Sequence, residues 1–240
     1  MLIEVCASSI SSIKNAALAG ANRVELCSAL GVGGITPSKG LIAEAVDLGV
    51  LPIHCLIRPR EGHFTFTETE VNVINQDIIL AKELGCAGVV LGALTQDFHI
   101  DIKRLEHWVS LAGSMSLTFH RAFDVVVNPI EALKSLIALG FNCVLTSGQE
   151  EQALEGLSNL KAWHKALGTE ISIMPGSGVN ASNCLEFKKV GFKAIHLSGY
   201  KSLLPISIPK TVNPKISFLH QEIGESNQSK IQQVVEKVSA

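Results

Sequence analysis

The sequence predicts an α/β fold, a single-domain (β/α)8 barrel of TIM-like type, in which eight parallel strands alternate with helices. A recurring joint is the first observation: seven times, a helix-like segment ends at a glycine and an apolar run follows within about two to four residues. The second is the spacing of these glycines, 23 to 36 residues, which suits one βα unit. Eight such units in a row favour a closed barrel over the alternative, an open doubly wound sheet.

The elements follow one another in chain order, beginning with an apolar strand at residues 2–6. Each joint glycine can adopt the left-handed conformation that closes a helix at little steric cost. The other seven strands are predicted to follow Gly20, Gly49, Gly85, Gly113, Gly140, Gly168 and Gly191. Helix starts are predicted at Thr36-Pro37, at the capping box of Thr67 and Glu70, at Asn128-Pro129 and at residues 180–182.

We expect one domain over residues 1–240, because no stretch has the composition of an interdomain linker. The barrel is predicted to occupy about residues 2–199. Residues 200–227, with Pro205, Pro209 and Pro214, are the least regular part and are expected to cover a barrel face or form a subunit contact. Residues 229–238 can supply a last helix.

The charge balance argues against two classes of partner. Lys and Arg total 20 against 22 Asp and Glu, and no basic block occurs, so binding to nucleic acid or to a membrane surface has no support. No apolar run approaches the roughly 18 residues of a membrane span, and no signal-type segment is apparent. We therefore expect a cytoplasmic protein, in which the six cysteines, without a CxxC motif, are reduced thiols.

Two successive strands end in the same motif, Glu4-x-Cys6 and Glu25-x-Cys27. Because side chains alternate across a strand, each glutamate shares a face with its cysteine, and all four are predicted to point into the barrel. The two thiols would stand side by side with the carboxylates one layer below. They could share one soft metal ion, or they could pack as small apolar side chains.

Residues 117–124 are predicted to form a buried strand that opens into a site. The apolar run ends in His120, Arg121 and Asp124 just before a helix start. In parallel α/β proteins that end of the strand faces the ligand. We expect His120, with Glu25 or Asp124, to move protons in acid–base chemistry. The alternative is an Arg121–Asp124 pair that only braces a loop.

Further cations are predicted at the same end of the barrel. Strand three places Arg58 at the mouth, and strand eight adds His196. Since buried charges are costly unless paired, Glu4 and Glu25 are expected to meet Arg58, Arg121 or a protonated histidine. Arg58, Arg121 and His196 are therefore predicted to bind a ligand.

Glycine-rich turns offer a possible anion site. Ser147-Gly148 follows strand six and Gly176 to Gly178 follows strand seven, each before a helix. Free backbone amides at such turns bind anions, and the loops after strands seven and eight hold phosphate in many barrels of this type. These turns predict an anionic small-molecule ligand.

Five segments together resemble the copper homeostasis protein CutC family. They read VELCSALGVGGITPS, LIRPREGHFTFT, LTFHRAFDVVVNP, VLTSGQEEQALEGL and IMPGSGVN, and the match runs in order from about residue 3 to 199. The resemblance implies a cytoplasmic TIM-like barrel, a homodimer, and a role in copper handling. It also implies Cu(I) ligation by the cysteines of EVC and ELC, which are Cys6 and Cys27. The chain departs from the family pattern after strand eight, where it reads Leu197-Ser198-Gly199-Tyr200.

Two functional hypotheses follow. The first is a copper homeostasis protein that binds Cu(I) between Cys6 and Cys27. The second is an enzyme acting on a phosphorylated or carboxylated small molecule, with Arg58 and Arg121 holding the anion and His120 working with Glu25 or Asp124.

Overall fold

The computed structural model describes residues 1–203, 207–209, 211–213, 215–217 and 223–239. The barrel strands are β1 (Leu2–Ala7), β2 (Arg23–Leu26), β3 (Ile53–Leu56), β4 (Gly88–Leu91), β5 (Ser116–Phe119), β6 (Cys143–Thr146), β7 (Ser172–Pro175) and β8 (Ala194–Leu197). The helices are α1 (Ile10–Leu18), α2 (Lys39–Asp47), α3 (Glu68–Glu83), α4 (Ile102–Ala112), α5 (Pro129–Ala138), α6 (Leu157–Leu167), α7 (Cys184–Val190) and α8 (Gln228–Ser239). Two short strands, β9 (Tyr200–Ser202) and β10 (Gly224–Ser226), follow the barrel.

The eight barrel strands confirm the predicted (β/α)8 fold. Their hydrogen-bonded order is β7-β6-β5-β4-β3-β2-β1-β8, and every pair is parallel. Strand β8 packs beside β7, which leaves a nearly closed barrel and not an open sheet. The carboxyl ends of all eight strands therefore meet around one mouth.

The local signals that the sequence offered are mostly confirmed. Six of the seven joint glycines have positive φ, but Gly168 has a φ of −67° and stays in the helical region, so the left-handed prediction is wrong there. Thr67 and Glu70 form the predicted capping box of α3. Helix α2 begins after Ser38, whose hydroxyl accepts from the Leu41 N–H, and not at Thr36-Pro37.

Large apolar side chains fill the shell between the strands and the helices. Trp108 of α4, Phe119 of β5 and Phe187 of α7 are fully buried there, and aromatic side chains contribute much of the apolar area that stabilises a core. Inside the barrel, apolar contacts form two smaller groups. One comprises Cys143, Leu145, Met174 and Ala194, and the other comprises Cys27, Leu56 and Val90. Charged side chains occupy much of the remaining interior.

The segment after β8 folds back onto the barrel. Strands β9 and β10 pair antiparallel, and Ser226 of β10 donates from its N–H to Ser12 Oγ at 3.0 Å and from its hydroxyl to Cys6 O at 3.3 Å. Helix α8 buries Ile231, Val234 and Val238. Of the prolines in the segment predicted to be irregular, Pro205 and Pro214 lie outside the described residues.

Replacing Gly88 by alanine should destabilise the barrel. A Cβ at Gly88 would lie 2.6 Å from two atoms of the His54 ring and 2.8 Å from Ser116 O. We expect the free energy of unfolding in urea to fall by about 1–3 kcal/mol, the usual cost of overpacking. The control is Gly40→Ala in α2, where a Cβ meets nothing within 4 Å and alanine favours the helix. Equal effects of the two substitutions would contradict the prediction.

Candidate functional site

The two Glu-x-Cys motifs face the barrel interior, but they are staggered along the sheet. Cys6 is opposite Glu25, and Glu4 is opposite Arg23, in the pairing of β1 with β2. Cys27 lies two positions beyond Glu25, so its thiol is not level with that of Cys6. The prediction that the thiols stand side by side is wrong, because the strands of a closed barrel tilt and their registers are staggered.

A buried ion cluster joins β1, β2 and β8. Arg23 Nε donates to Glu4 Oε2 at 2.5 Å, and His196 Nδ1 lies 2.8 Å from Glu4 Oε1. Burial alone would raise the pKa of Glu4, but the hydrogen bond from His196 and the charges of Arg23 and His196 lower it to about 2. Glu4 is therefore a carboxylate with a cationic partner at each oxygen.

Arg23 supplies the buried positive charge that was expected from Arg58 or Arg121. Neither of those arginines contacts Glu4 or Glu25, so that part of the pairing prediction is wrong, whereas the histidine partner is confirmed. Arg23 stands two residues before Glu25, and the same period of two places both on one face of β2. This signal in the sequence could have identified it.

Glu25 is the carboxylate of the cluster that is not fully paired. Its Oε2 is buried without a hydrogen-bond partner, and it lies 4.0 Å from His196 Nδ1. Burial, opposed by the charge of His196 and supported by that of Glu4, raises the pKa of Glu25 to about 7. A carboxyl group with this pKa can donate or accept a proton near neutral pH.

His196 is the cation between the two glutamates. Burial alone would lower its pKa, but Cys6, Glu25 and Glu4 together raise it well above the usual value. Ligand atoms of Glu4, Glu25 and His196 lie within 4.8 Å of one another, a set that could hold a divalent metal ion. A metal would have to displace the proton of His196 and compete with Arg23. The imidazolium is therefore the group that this geometry favours between the carboxylates.

Arg58 lies at the mouth and is held by backbone carbonyls. Its Nη1 donates to Val32 O at 3.0 Å and to Gly34 O at 2.8 Å, and its Nη2 donates to Gly62 O at 3.0 Å. The guanidinium carbon lies 5.1 Å from the centre of the Phe64 ring, and Nε has no partner. Within the described chain no carboxylate forms an ion pair with it.

His120 is neutral and presents an N–H group. Its Nδ1 accepts from the Ala122 N–H at 3.2 Å, so Nε2 carries the hydrogen, and Nε2 is buried without a partner. Burial and the charge of Arg58 lower the pKa of His120 to about 3. The Phe64 ring lies 4.8 Å away, centre to centre. No hydrogen bond joins His120 to Glu25 or Asp124, the proton-transfer partners that the sequence suggested.

Asp124 organises the loop after β6, and both of its carboxylate oxygens accept hydrogen bonds. It accepts from Arg121 Nε at 2.7 Å, from Thr146 Oγ1 at 2.5 Å, and from the N–H groups of Ser147 at 2.9 Å and Gln149 at 3.3 Å. These contacts favour the loop-bracing alternative, and the proton-transfer role of Asp124 stays a prediction.

The amides predicted to bind an anion after β6 are also occupied. Ser147 donates to Asp124, and Gly148 donates to Thr146 Oγ1 at 3.0 Å. The N–H of Gly176, after β7, donates to Thr146 O at 3.0 Å. Anion binding by these three amides is therefore contradicted, because each already has an acceptor.

A cavity of about 890 Å³ opens at the carboxyl ends of the strands. The predicted site residues that line it are Cys6, Glu25, Arg58, His120, Arg121, Gly178 and His196. Those that do not line it are Cys27, Asp124, Ser147, Gly148 and Gly176. Ligand sites of this size and position are typical of (β/α)8 barrels.

The fold and this cavity define a (β/α)8 barrel with a polar cavity at its mouth. The chain belongs to the CutC family, whose sequence model matches residues 1–201. The family protein CutC of Pasteurella multocida (strain Pm70) is 46% identical over 200 residues, which cover 83% of this chain and 82% of the relative. That of Vibrio cholerae serotype O1 (strain M66-2) is 45% identical over 199 residues, 82% of this chain and 78% of the relative.

Solved structures agree with this assignment. The CutC protein of Streptococcus agalactiae, named as a copper homeostasis protein, is 34% identical and superposes with a TM-score of 0.79 over 82% of this chain and 98% of that one. An aldolase, QR15, is 11% identical with a TM-score of 0.63, covers 81% of this chain and 89% of its own, and shares the fold alone. Within the described residues, no helix combines the length and apolarity needed to span a membrane.

Arg23→Met should strongly destabilise the protein. It leaves Glu4 buried with one cationic partner, and breaking a buried pair costs about 3–5 kcal/mol in the free energy of unfolding. Urea denaturation measures the loss. The control is Lys189→Met, which removes one member of an exposed pair with Glu186 and should change stability by less than about 1 kcal/mol. Similar small losses in both variants would contradict the proposed role of Arg23.

Glu25→Gln should stabilise the protein at high pH. Because the folded state raises the pKa of Glu25 from 4.5 to about 7, it holds the proton more tightly than the unfolded chain, and this contribution to stability falls as the pH rises between those values. Glutamine cannot ionise, so we expect the variant to exceed wild type by roughly 2–3 kcal/mol at pH 8 and to lose most of that advantage at pH 5. Urea denaturation at both pH values measures the difference, and a pH-independent difference would refute the assignment.

Proposed function

We propose that this chain is a copper homeostasis protein, as its Streptococcus agalactiae relative is named, and that it binds Cu(I) through Cys6 and Cys27. The observation that carries the proposal is that the Cys27 thiol reaches across to β1, where its Sγ lies 3.7 Å from the carbonyl oxygen of Ala7, the residue next to Cys6. Burial, and then the charge of Cys6, raise the pKa of Cys27. Thiolates are soft ligands, and they suit Cu(I) better than carboxylate oxygens do.

The two thiols differ in access. Cys6 lines the cavity and contributes to the raised pKa of His196. Cys27 is fully buried, and its Sγ donates to Ala7 O at 3.7 Å. Cu(I) entering from the mouth would therefore meet Cys6 first, and Cys27 would give up its contact with Ala7 to complete the pair.

The other candidate metal set is a poor match for Cu(I). Glu4, Glu25 and His196 offer two carboxylates and one imidazole, and oxygen donors of this kind suit harder ions. The thiols are therefore the proposed copper ligands. The cytoplasmic location and the homodimer that the family resemblance implies stay predictions.

Cys6→Ser and Cys27→Ser should each weaken Cu(I) binding at least about tenfold, because a serine hydroxyl is a hard donor. Competition with a chromophoric Cu(I) chelator under anaerobic, reducing conditions measures the affinity. Cys184→Ser is the matched control, since Cys184 is a buried thiol on α7, away from the mouth. Equal affinities in wild type and both mouth variants would remove these cysteines as ligands.

Binding should also strengthen as the pH rises. The thiolate is the ligand, so Cu(I) must displace the proton of Cys27, whose pKa is raised by burial. The logarithm of the apparent affinity, measured between about pH 6 and 8, should rise with a slope of about one or more. A flat profile would mean that no thiol proton is released.

A further inference from the structure

We propose that the cavity at the barrel mouth binds a small molecule that carries a phosphate monoester at one end and a carboxylate at the other. The phosphate would meet backbone N–H groups after β7 and β8, and the carboxylate would meet Arg58 and His120. This proposal concerns binding alone and does not depend on copper.

Backbone donors after β7 and β8 form the phosphate end. The hydrogen bonds among the described residues leave the N–H groups of Ser177, Gly178 and Val179 without an acceptor, and the same holds for Ser198 and Gly199. All of these except Gly199 line the cavity. Successive free amides make a concave anion site, and phosphates in (β/α)8 barrels lie at these two loops.

Two buried side chains form the carboxylate end. Arg58 is 7% exposed and His120 is 4% exposed, and each has a ring or guanidinium nitrogen without a hydrogen-bond partner. Phe64 packs against both, 5.1 Å from the Arg58 guanidinium carbon and 4.8 Å from the His120 ring. Gly92 leaves room for the histidine, since a Cβ there would lie 2.7 Å from His120 Cε1. Arg58, His120 and Phe64 therefore line the same part of the cavity.

The charged side chains that line the cavity favour an anionic ligand. Arg58, Arg121 and His196 line the cavity as cationic side chains, and among the described lining residues Glu25 is the one carboxylate. Arg121 is already paired with Asp124, and His196 with Glu4. The hydrogen bonds of the Arg58 guanidinium go to carbonyl oxygens. A buried guanidinium without an anion is costly, and a ligand carboxylate would remove that cost.

Thermal melting of protein kept free of metal by a chelator tests the phosphate end. About 10 mM inorganic phosphate should raise Tm by about 2 °C or more above chloride at equal ionic strength. Ser198→Asp places a carboxylate beside the free amides and should abolish this rise, whereas Ser198→Asn, similar in size and uncharged, should retain it. An equal rise in Ser198→Asp, or none in wild type, would overturn the phosphate end.

An amide-resolved titration of wild type removes any dependence on a variant that folds poorly. Adding inorganic phosphate to ¹⁵N-labelled, metal-free protein should shift the N–H resonances of Ser177, Gly178, Val179 and Ser198 most. Largest shifts at surface lysines or at other helix starts would place the anion elsewhere and refute the site.

A pair of probes tests the carboxylate end. 3-Phosphoglycerate and glycerol 3-phosphate differ in one carboxylate, so calorimetry on wild type should find the first at least about tenfold tighter. Arg58→Gln should bring the ratio close to one, and if that variant does not fold, the wild-type ratio decides. Equal affinities in wild type would overturn the carboxylate end. Because copper is absent throughout, failure of the copper proposal would leave these results unchanged.

Discussion

The carboxylate of Glu4 has no exposed surface, and three strands of the barrel depend on how its charge is compensated. Arg23 from β2 takes one oxygen, and His196 from β8 takes the other. A barrel interior cannot leave such a charge unpaired without a loss of several kcal/mol. With both cations committed to Glu4, the nearby Glu25 is left with a buried oxygen that has no hydrogen-bond partner. We call this charged layer of Glu4, Arg23, Glu25 and His196 the floor of the cavity. The pairing of Glu4 therefore sets the protonation state of Glu25.

The charge of Arg58 at the mouth is compensated in a different way. Arg58 is held by carbonyl oxygens of Val32, Gly34 and Gly62, which fix its direction and only partly offset its charge. A guanidinium fixed in advance loses little conformational freedom when it meets an anion. The charges of the floor thus pair with one another. At the mouth, the guanidinium of Arg58 is held in one orientation, but no carboxylate of the described residues neutralises its charge. The proposed anionic ligand rests on this difference between the mouth and the floor.

The sequence predicted those features that depend on local periodicity. Alternation along a strand placed Glu4, Cys6, Glu25 and Cys27 inside, and glycine joints and caps placed the helices. The stagger between the two motifs was not accessible in this way, because the register of β1 against β2 depends on the tilt of all eight strands in the closed barrel.

The hydrogen-bond partners of Arg58 and of the Ser147 and Gly148 amides could not be predicted from the sequence either. Arg58 meets carbonyls of two loops, and nothing in the residue pattern distinguishes such a partner from a carboxylate. The amide of Ser147 looked free because its acceptor, Asp124, is 23 residues earlier in the chain. The acceptor of Gly148 is local, the hydroxyl of Thr146 two residues earlier, but the sequence pattern does not show that this hydroxyl turns toward the amide. Arg23 could have been predicted, because it lies two residues before Glu25 and therefore on the same face of β2.

The segment beyond the family match completes the mouth and ties it to the copper-binding candidate. The match ends at residue 201, yet Ile223 and Gly224 line the cavity, and Ser226 donates a hydrogen bond to the carbonyl of Cys6. Gly224 accommodates the Tyr200 ring, because a Cβ there would lie 2.1 Å from a ring carbon. The floor is therefore built by the part of the chain that the family shares, whereas one wall beside Cys6 is built by a part outside the match. For the proposed ligand, selectivity is the property that this second part of the chain is best placed to vary.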